Sequence, residues 1–316
     1  GERGRRVAQW VATHYGRCLD GLRLALKVAH GAHRVLGTWL MDQLAQSLRE
    51  LSGGRIPLWN PWMPKGLCPP EFRSAPAPTP RQVVYFPSCV VRSMGPAKAD
   101  PEQRALYEAM VSLLGKAGYT VVYPENLSEL CCGLTFESKG YFDQAGDKLR
   151  ELERALRAAS RDGEIPILCD TSPCLYSMRK GIEPDLKLYE PVEFIHDHLL
   201  DKLRLTRLPE TVAVHVTCSS VKMGLAAKFR AVAEACAEKV VIPAGINCCG
   251  FAGDRGFTFP ELNEAALAGL KEKLGPDVTR GYSNSRTCEI GLSRNAGISY
   301  QSIVYLVDAC SVAAGE

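Results

Sequence analysis

Cys131-Cys132-Gly133 and Cys248-Cys249-Gly250 are the two stretches of this sequence that decide its fold. One cysteine precedes each pair and another follows it, so each set supplies four thiols. The first set is Cys89, Cys131, Cys132 and Cys174, and the second set is Cys218, Cys248, Cys249 and Cys288. Because thiolate sulfur selects iron–sulfur clusters, zinc or Cu(I), these residues predict two soft-metal sites.

Short β-rich runs alternate with amphipathic helices from residue 82 onward, and the order repeats after about 120 residues. In both copies the cysteines fall just after predicted strands, where open α/β sheets place their sites. The pattern predicts an α/β fold with two tandem pseudo-symmetric α/β repeats and short parallel sheets, preceded by an N-terminal helical segment and a Pro-rich linker. We expect a helical connector at 1–52, the linker at 53–81, the first repeat at 82–208 and the second repeat at 209–316.

Residues 5–50 carry one apolar stripe at three- and four-residue steps, which predicts a helix interrupted or kinked at Gly31 and Gly37. A closing helix is predicted over 299–312. The sequence starts without methionine and enters a helix almost at once. We therefore interpret the chain as a piece cut from a longer one.

The predicted linker contains eight of the chain's twenty prolines, with an alternation at Pro76, Pro78 and Pro80. Such a composition favours extended backbone without a packed core of its own. Trp59 and Trp62 are expected to pin this stretch to a neighbouring surface.

Composition limits the function. The formal charge of +3 over 316 residues is too small to indicate nucleic acid binding. No run approaches the ~18 apolar residues that a transmembrane segment needs, and the first residues of this sequence lack the apolar core and small-residue cleavage site of a signal peptide. We expect a cytoplasmic protein, with a peripheral position at the inner face of the membrane left open. A secreted disulfide framework is disfavoured, because adjacent cysteines are poor disulfide partners.

Three further residues are candidates for cofactor binding. Gly133 and Gly250 can adopt backbone conformations closed to other residues and let the chain approach a bulky inorganic centre. His215 precedes Cys218 and could donate a hydrogen bond to a cluster sulfur. Zinc remains an alternative to iron, although vicinal pairs with distant single cysteines match poorly with the Cys-x(2–4)-Cys knuckles of structural zinc. The spacing also lacks the tight run of cysteines of a bacterial ferredoxin.

Longer motifs around the cysteines carry a resemblance. The segments from Cys89 to Cys174 and from Cys218 to Cys288 resemble the duplicated cysteine-rich (CCG) domain of heterodisulfide reductases, the glycolate oxidase iron–sulfur protein and lactate-utilisation iron–sulfur proteins. The motifs 169–174 (CDTSPC), 215–218 (HVTC), 247–257 (NCCGFAGDRGF) and 282–291 (YSNSRTCEIG) are more similar to the C-terminal part of FAD-binding and (Fe–S)-binding oxidoreductases. That family includes D-lactate (cytochrome) and D-2-hydroxyglutarate dehydrogenases.

The resemblance implies an oxidoreductase, as part of a larger chain, whose flavin domain oxidises a D-2-hydroxyacid. This chain would relay the electrons from FAD, held on other domains, to an external acceptor such as a quinone, a cytochrome or a flavoprotein. The flavin and ferredoxin-like domains of the parent chain would be its partners. No flavin or nicotinamide motif and no catalytic residue is identified here, so the substrate-oxidising site is expected to lie outside this sequence.

The sequence departs from the family pattern at the end of each cysteine motif. Where that pattern has a fifth thiol, this chain has Ser177 and Gly291. Four thiolates suit an ordinary [4Fe–4S] cluster, one per repeat, although Cys169 could supply a fifth ligand in the first half. Two other functions stay open: thiol–disulfide chemistry like that of heterodisulfide reductase, and a zinc-stapled interaction module.

Overall fold

Two four-stranded parallel sheets, one in each half, organise the computed structural model, which describes residues 1–74 and 79–314. The strands are β1 (Pro64–Gly66), β2 (Gln82–Phe86), β3 (Met94–Ala97), β4 (Thr120–Val122), β5 (Ile167–Cys169), β6 (Leu188–Tyr189), β7 (Leu203–Leu205), β8 (Leu208–Val214), β9 (Ala237–Val241), β10 (Val278–Ser283), β11 (Ser299–Ser302) and β12 (Ser311–Ala313). The first sheet has the order β4-β2-β5-β6 and the second has the equivalent order β9-β8-β10-β11. This repeated order confirms the predicted α/β fold with two similar repeats.

The helices that surround these sheets vary widely in length. They are α1 (Glu2–Thr13), α2 (Tyr15–Leu51), α3 (Cys89–Ser93), α4 (Leu106–Lys116), α5 (Leu134–Glu137), α6 (Phe142–Ser160), α7 (Ser172–Gly181), α8 (Pro191–Phe194), α9 (Cys218–Lys222), α10 (Ala226–Cys236), α11 (Arg255–Thr258), α12 (Pro260–Ala266), α13 (Leu270–Leu274), α14 (Arg286–Ala296) and α15 (Ile303–Cys310). A π-helical turn and a 3₁₀ turn extend α8 as far as Lys202. In the described residues, no helix combines the length and apolar character needed to cross a bilayer.

The first strand of each repeat leads into a short helix that begins with a cysteine. Cys89 is the first residue of α3, and the side chain of Ser88 accepts a hydrogen bond from a backbone N–H inside that helix. Cys218 opens α9 in the same way, with Thr217 as the capping residue. A hydroxyl cap satisfies one of the free N–H groups of a helix start, so the two cysteines occupy equivalent, defined positions.

The N-terminal helix differs in part from its prediction. It is divided at His14, which the apolar stripe did not indicate, and it leaves helical geometry at Gly37, where φ is +76°. Gly31 lies within regular helix, so the predicted interruption there is wrong. Gly37 has the positive φ that glycine adopts without steric cost, which explains why the kink lies there.

Trp59 anchors the Pro-rich stretch as predicted: it is buried against the ring of His33, with ring centroids 4.8 Å apart. Trp62 also packs, against the core of the second half. The stretch includes β1, which pairs antiparallel with β3. Of the predicted proline alternation, Pro76 and Pro78 lie outside the described residues.

The fourth strand of each sheet was missed by sequence analysis. The predicted helix over 299–312 is wrong at its start, because Ser299–Ser302 forms β11 and the helix begins at Ile303. The sequence Ser-Tyr-Gln-Ser lacks the apolar signature of a buried strand, yet all four residues are buried. Ser299 donates a hydrogen bond to Asp100 (2.7 Å) and the amide of Gln301 donates one to the Glu102 carbonyl (2.9 Å). These partners in the first half offset the cost of burying polar groups.

Contacts between the halves are apolar on one side and polar on the other. One apolar core includes residues of both sheets together with α4 and α15. At its edge Asp308 of α15 pairs with Lys116 of α4 (2.7 Å), and β12 pairs with β7. The second half therefore completes the packing of the first.

On the polar side, hydroxyl groups join the helices that carry the cysteines. The Ser172 hydroxyl lies 2.7 Å from that of Ser219 and 2.8 Å from that of Ser220. Asn284 donates hydrogen bonds to Ser220 (2.7 Å) and to the buried carboxylate of Glu190. Burial raises the pKa of Glu190 to about 7, against hydrogen bonds that lower it.

The glycine of each triplet packs against the helix that follows it. Gly133 has φ +83°, and a Cβ there would lie 2.4 Å from the carbonyl oxygen of Ala145 in α6. Gly250 has φ +67°, and its Cβ would lie 2.4 Å from the carbonyl oxygen of Leu262 in α12. Both the backbone conformation and the space therefore require glycine.

We expect Gly133→Ala and Gly250→Ala to destabilise the chain by clearly more than the roughly 1–2 kcal/mol of a left-handed non-glycine residue. Gly140→Ala and Gly253→Ala are matched controls, since both have positive φ and no atom within 4 Å of the added Cβ. Free energies of unfolding from urea titrations test this. Equal costs at all four positions would refute the packing role.

Glu190 should make stability depend on pH. Its carboxyl pKa is about 7 in the fold, against about 4.3 in an unfolded chain, so the folded state binds more protons between these values. The contribution of Glu190 to stability is then fully present below pH ~4 and is lost as pH rises to 7, by up to about 3 kcal/mol. Glu190→Gln should remove this part of the pH profile, and Glu183→Gln, on the surface, should not. Parallel profiles for wild type and Glu190→Gln between pH 5 and 7.5 would contradict the assignment.

Candidate functional site

Each half gathers its four predicted ligand thiols at the carboxyl ends of the parallel strands. In the first half the Cys131 thiol interacts with those of Cys89 and Cys132, and the Cys132 thiol interacts with that of Cys174. We refer to these four residues as the first cysteine set. Each of them is buried.

The second half repeats this arrangement. The Cys248 thiol interacts with those of Cys218 and Cys249, and the sulfurs of Cys249 and Cys288 lie 2.9 Å apart. We refer to these four residues as the second cysteine set. Here Cys218 and Cys248 are exposed, whereas Cys249 and Cys288 are buried.

The sulfurs of each set lie closer together than the ligands of a bound metal ion or cluster would. Among residues 1–74 and 79–314, no group of three or more His, Cys, Asp or Glu side chains is placed to hold a single metal ion. Zn–S bonds of ~2.3 Å would separate tetrahedral sulfurs by about 3.8 Å, whereas Cys249 and Cys288 are 2.9 Å apart. Within each set, each sulfur instead contacts the next one, so that the four sulfurs form a chain.

Backbone N–H groups are directed at sulfur in both sets. The N–H of Gly133 donates to the Cys131 sulfur and the N–H of Gly250 donates to the Cys248 sulfur, each over 3.4 Å. Hydrogen bonds of this kind stabilise thiolates and tune iron–sulfur clusters. An all-sulfur donor set with N–H groups aimed at it fits a soft metal or an iron–sulfur cluster.

One thiol of the second set, that of Cys248, is more acidic than the thiols of the first set because of the hydrogen bonds that its sulfur accepts. The pKa of Cys131 is raised to about 12, first by its hydrogen bond to Cys132 and also by burial. The pKa of Cys248 is lowered, because the thiols of Cys218 and Cys249 and the N–H of Gly250 donate to its sulfur. Metal ligands must be deprotonated, so the second set carries a thiolate more readily.

Helices α1 and α2 cover the first set. Tyr15 lies in one buried cluster with Cys89 and Cys131, and burial raises the pKa of its hydroxyl well above the ordinary value. The N–H of Gly16 donates to Glu129 (3.0 Å), which fixes α2 to the loop before the first triplet. Sequence analysis assigned this helix only a connecting role, since its apolar stripe does not show that Tyr15 packs against thiols.

Arg92 is a second residue that sequence analysis missed. Its side chain is 1% exposed and donates to the carbonyl oxygens of Pro87 (3.0 Å), Leu130 (2.7 Å) and Leu127. Within the described part of the chain no carboxylate pairs with it. Burial lowers its pKa, and the nearby Cys89, Tyr15 and Cys131 oppose that effect. The guanidinium thus joins the loops that carry the first set and places a positive charge beside its sulfurs.

The corresponding loop of the second half is held without charge. The amide of Asn263 donates to the carbonyl oxygen of Cys249, and Asn295 donates to Asn263 over 2.6 Å. A Cβ on Gly291 would lie 2.4 Å from the Asn263 amide nitrogen and 2.8 Å from the Phe251 ring. A fifth thiol has no room at this position.

The remaining predicted residues lie near the two sets. Ser177 donates to Glu137 (3.4 Å), and the Cys169 thiol faces the Thr171 carbonyl (3.9 Å) with no hydrogen bond to the first set. Burial lowers the pKa of His215 to about 4, so its ring is neutral at pH 7. The ring Nδ1 lies 3.4 Å from the Ser283 hydroxyl.

Comparisons with known proteins agree with the doubled arrangement. The cysteine-rich domain (CCG) family model matches residues 83–179 and 212–292, which contain both cysteine sets. None of the curated proteins matches the chain.

Similar solved structures include an aspartate racemase homologue from Pyrococcus horikoshii (11% identity, 73% of this chain and 96% of that chain, TM-score 0.29). An aspartate racemase from Picrophilus torridus has 12% identity over 72% of this chain and 90% of that chain (TM-score 0.29). A glutamate racemase from Aquifex pyrophilus has 11% identity over 72% and 81% (TM-score 0.32). Similarity at these TM-scores supports no conclusion about this chain.

The two matched segments together span more than half of the chain and hold equivalent thiols after equivalent strands. The chain therefore belongs to the cysteine-rich domain (CCG) family, with one copy of the domain in each half.

Proposed function

We propose that the chain is the iron–sulfur electron-transfer module of a flavin-dependent D-2-hydroxyacid dehydrogenase, with one [4Fe–4S] cluster per half. The observation that carries the proposal is the convergence of eight thiols into two equivalent all-sulfur sets. The first set would hold one cluster and the second set the other. Clusters of this type supply one-electron transfer.

The path between the two sets supports a relay. Ser172, two residues before Cys174, shares a 2.7 Å hydrogen bond with Ser219, the residue after Cys218. A single hydrogen bond and a few backbone units thus connect a thiol of each set. The loops after the two triplets also meet, through the ion pair of Lys139 and Asp254 (2.7 Å).

Residues around the two cysteine sets have distinct roles in this proposal. Tyr15 and the helices around it exclude water from the first set, and Arg92 offsets negative charge there. Gly133 and Gly250 donate N–H groups to sulfur. The predicted hydrogen bond from His215 to a cluster sulfur is not part of this proposal, because the Ser283 hydroxyl donates to the His215 carbonyl (3.0 Å) and is free to accept the Nδ1 proton of the neutral ring.

The partner domains are part of the same proposal. Helix α2 exposes large apolar side chains, among them Val35 (85% exposed) and Trp39 (75% exposed). Apolar surface of this kind marks contact sites. It supports the view that α2 connects to, and packs against, the ferredoxin-like and flavin domains of a parent chain. A cytoplasmic location, with or without peripheral membrane contact, accompanies this proposal.

Thiol–disulfide chemistry like that of heterodisulfide reductase is the second candidate. The crowding of Gly291 by Asn263 and Phe251 argues against the fifth thiolate that its noncubane cluster uses. An anaerobic assay with a mixed disulfide distinguishes the two, since a pure relay would not cleave it. A zinc-stapled module would contain zinc and no acid-labile sulfide.

Anaerobically prepared protein should contain iron and sulfide for two clusters. Cys132→Ala and Cys249→Ala should each lose about half of both, because each change removes one of four ligands from one set. Cys236→Ala, a buried cysteine outside the two sets, should lose none. Quantified iron, zinc and sulfide test this, and loss of all iron in either variant would contradict independent sites.

Iron should leave the two halves at different rates when a chelator is added with a mild oxidant. The second set is expected to react first, because Cys218 and Cys248 are exposed while the first set is buried under Tyr15. The fast phase should vanish in Cys249→Ala and the slow phase in Cys132→Ala.

Variants of α2 test the cover over the first set. Tyr15→Ala should speed the slow phase of iron loss, whereas Val35→Ala, exposed on the same helix, should not. A single phase in the wild type, or the reverse order of loss, would overturn the assignment.

A further inference from the structure

A cavity of about 600 Å³ opens beside the second cysteine set. It lies between the end of β8, helices α9 and α10, and the segment 242–247 that precedes the second triplet. Cys218 is one of its lining residues. The volume is typical of sites for small organic ligands.

The lining combines apolar walls with positive charge. Val216, Val221 and Ile242 contribute apolar surface, while Lys222 and Arg230 contribute the charged groups. Among the described residues, no aspartate or glutamate lines the cavity. Such a lining favours a ligand with an apolar body and a negative charge.

Neither cation is committed to a strong partner. Arg230 pairs with Glu234 at 3.4 Å on the surface, where ion pairs contribute little. Lys222 lies over the ring of Tyr176, 5.4 Å from its centroid. Both side chains can therefore turn towards an anion without losing a buried contact.

His215 provides an independent sign of a ligand. It lines the cavity, is 3% exposed, and its Nε2 has no hydrogen-bond partner among the described residues. The Ser283 hydroxyl donates to the His215 carbonyl (3.0 Å), so its oxygen is free to accept from Nδ1. That assignment leaves a lone pair on Nε2. Buried polar atoms without a partner are rare in folded proteins.

We propose that this cavity binds a small organic carboxylate with an apolar body and a hydroxyl group: Lys222 and Arg230 hold the carboxylate, and the hydroxyl donates to Nε2 of His215 beside Cys218. A small molecule thereby binds beside the second cysteine set, whereas α1 and α2 cover the first cysteine set. The proposal adds a ligand to the proposed electron relay, but the binding itself does not require iron.

Calorimetric titration of the iron-loaded chain with 2-naphthoate tests the proposal. One site is expected, weakened about fivefold by Lys222→Gln or Arg230→Gln, which each remove a charged hydrogen-bond donor. Ala227→Trp, on the exposed side of α10, should fill the cavity and abolish binding without changing its charge. Lys271→Gln, an exposed lysine on α13, is the matched control and should have no effect.

Two more probes define the ligand class. The neutral 2-naphthol should bind more weakly than 2-naphthoate, and inorganic phosphate should not displace it at equal concentration. No binding of 2-naphthoate at millimolar concentration, or unchanged binding in Ala227→Trp, would overturn the proposal. Displacement by phosphate would overturn its apolar part.

Cys249→Ala separates this proposal from the proposed function. It should lose iron from the second set yet still bind 2-naphthoate, because Cys249 does not line the cavity. If the protein contains no iron but binds 2-naphthoate, the result contradicts only the proposed electron relay. If the protein contains iron but does not bind 2-naphthoate, the result contradicts only the proposed ligand site.

Discussion

A buried arginine sets the geometry of the first half. Arg92 donates its hydrogen bonds to three carbonyl groups from two of the three segments that carry the first cysteine set. Burying a guanidinium without a carboxylate partner is costly, unless negative charge lies close by. The thiols of Cys89 and Cys131 are the neighbouring groups that can carry that charge. The fold around this set and the chemistry of its sulfurs are therefore coupled.

In the second half a different interaction holds the loop that carries the cysteines. Asn263 holds its triplet loop through a neutral amide, and no tyrosine of the described part of the chain covers the sulfurs that remain exposed. Both halves of the duplicated fold thus keep four thiols, but the two cysteine sets lie in different environments. One set is dry and adjacent to fixed positive charge, and the other is open to solvent and to a cavity. Two equal sets of ligands in unequal surroundings are expected to differ in potential and in reactivity.

The sequence allowed the two cysteine sets and the parallel α/β repeats to be predicted, because the cysteines follow recognisable strands in both copies. Residues whose roles depend on distant partners escaped prediction. Tyr15 lies far along the chain from the sulfurs that it touches, and Arg92 looks like any helical arginine until its carbonyl partners are known. The strand β11 was hidden because its polar residues are satisfied by Asp100 and Glu102 of the other half.

The packing of α15 on α4 bears on how such a doubled chain arose. This helix closes the second half in sequence, yet its apolar residues share a core with the first half, and Asp308 binds Lys116 there. An ancestor with one copy of the domain would have left that face open to water. It could have buried the face by pairing with an identical chain, so that gene fusion later made permanent a contact that first formed between two molecules.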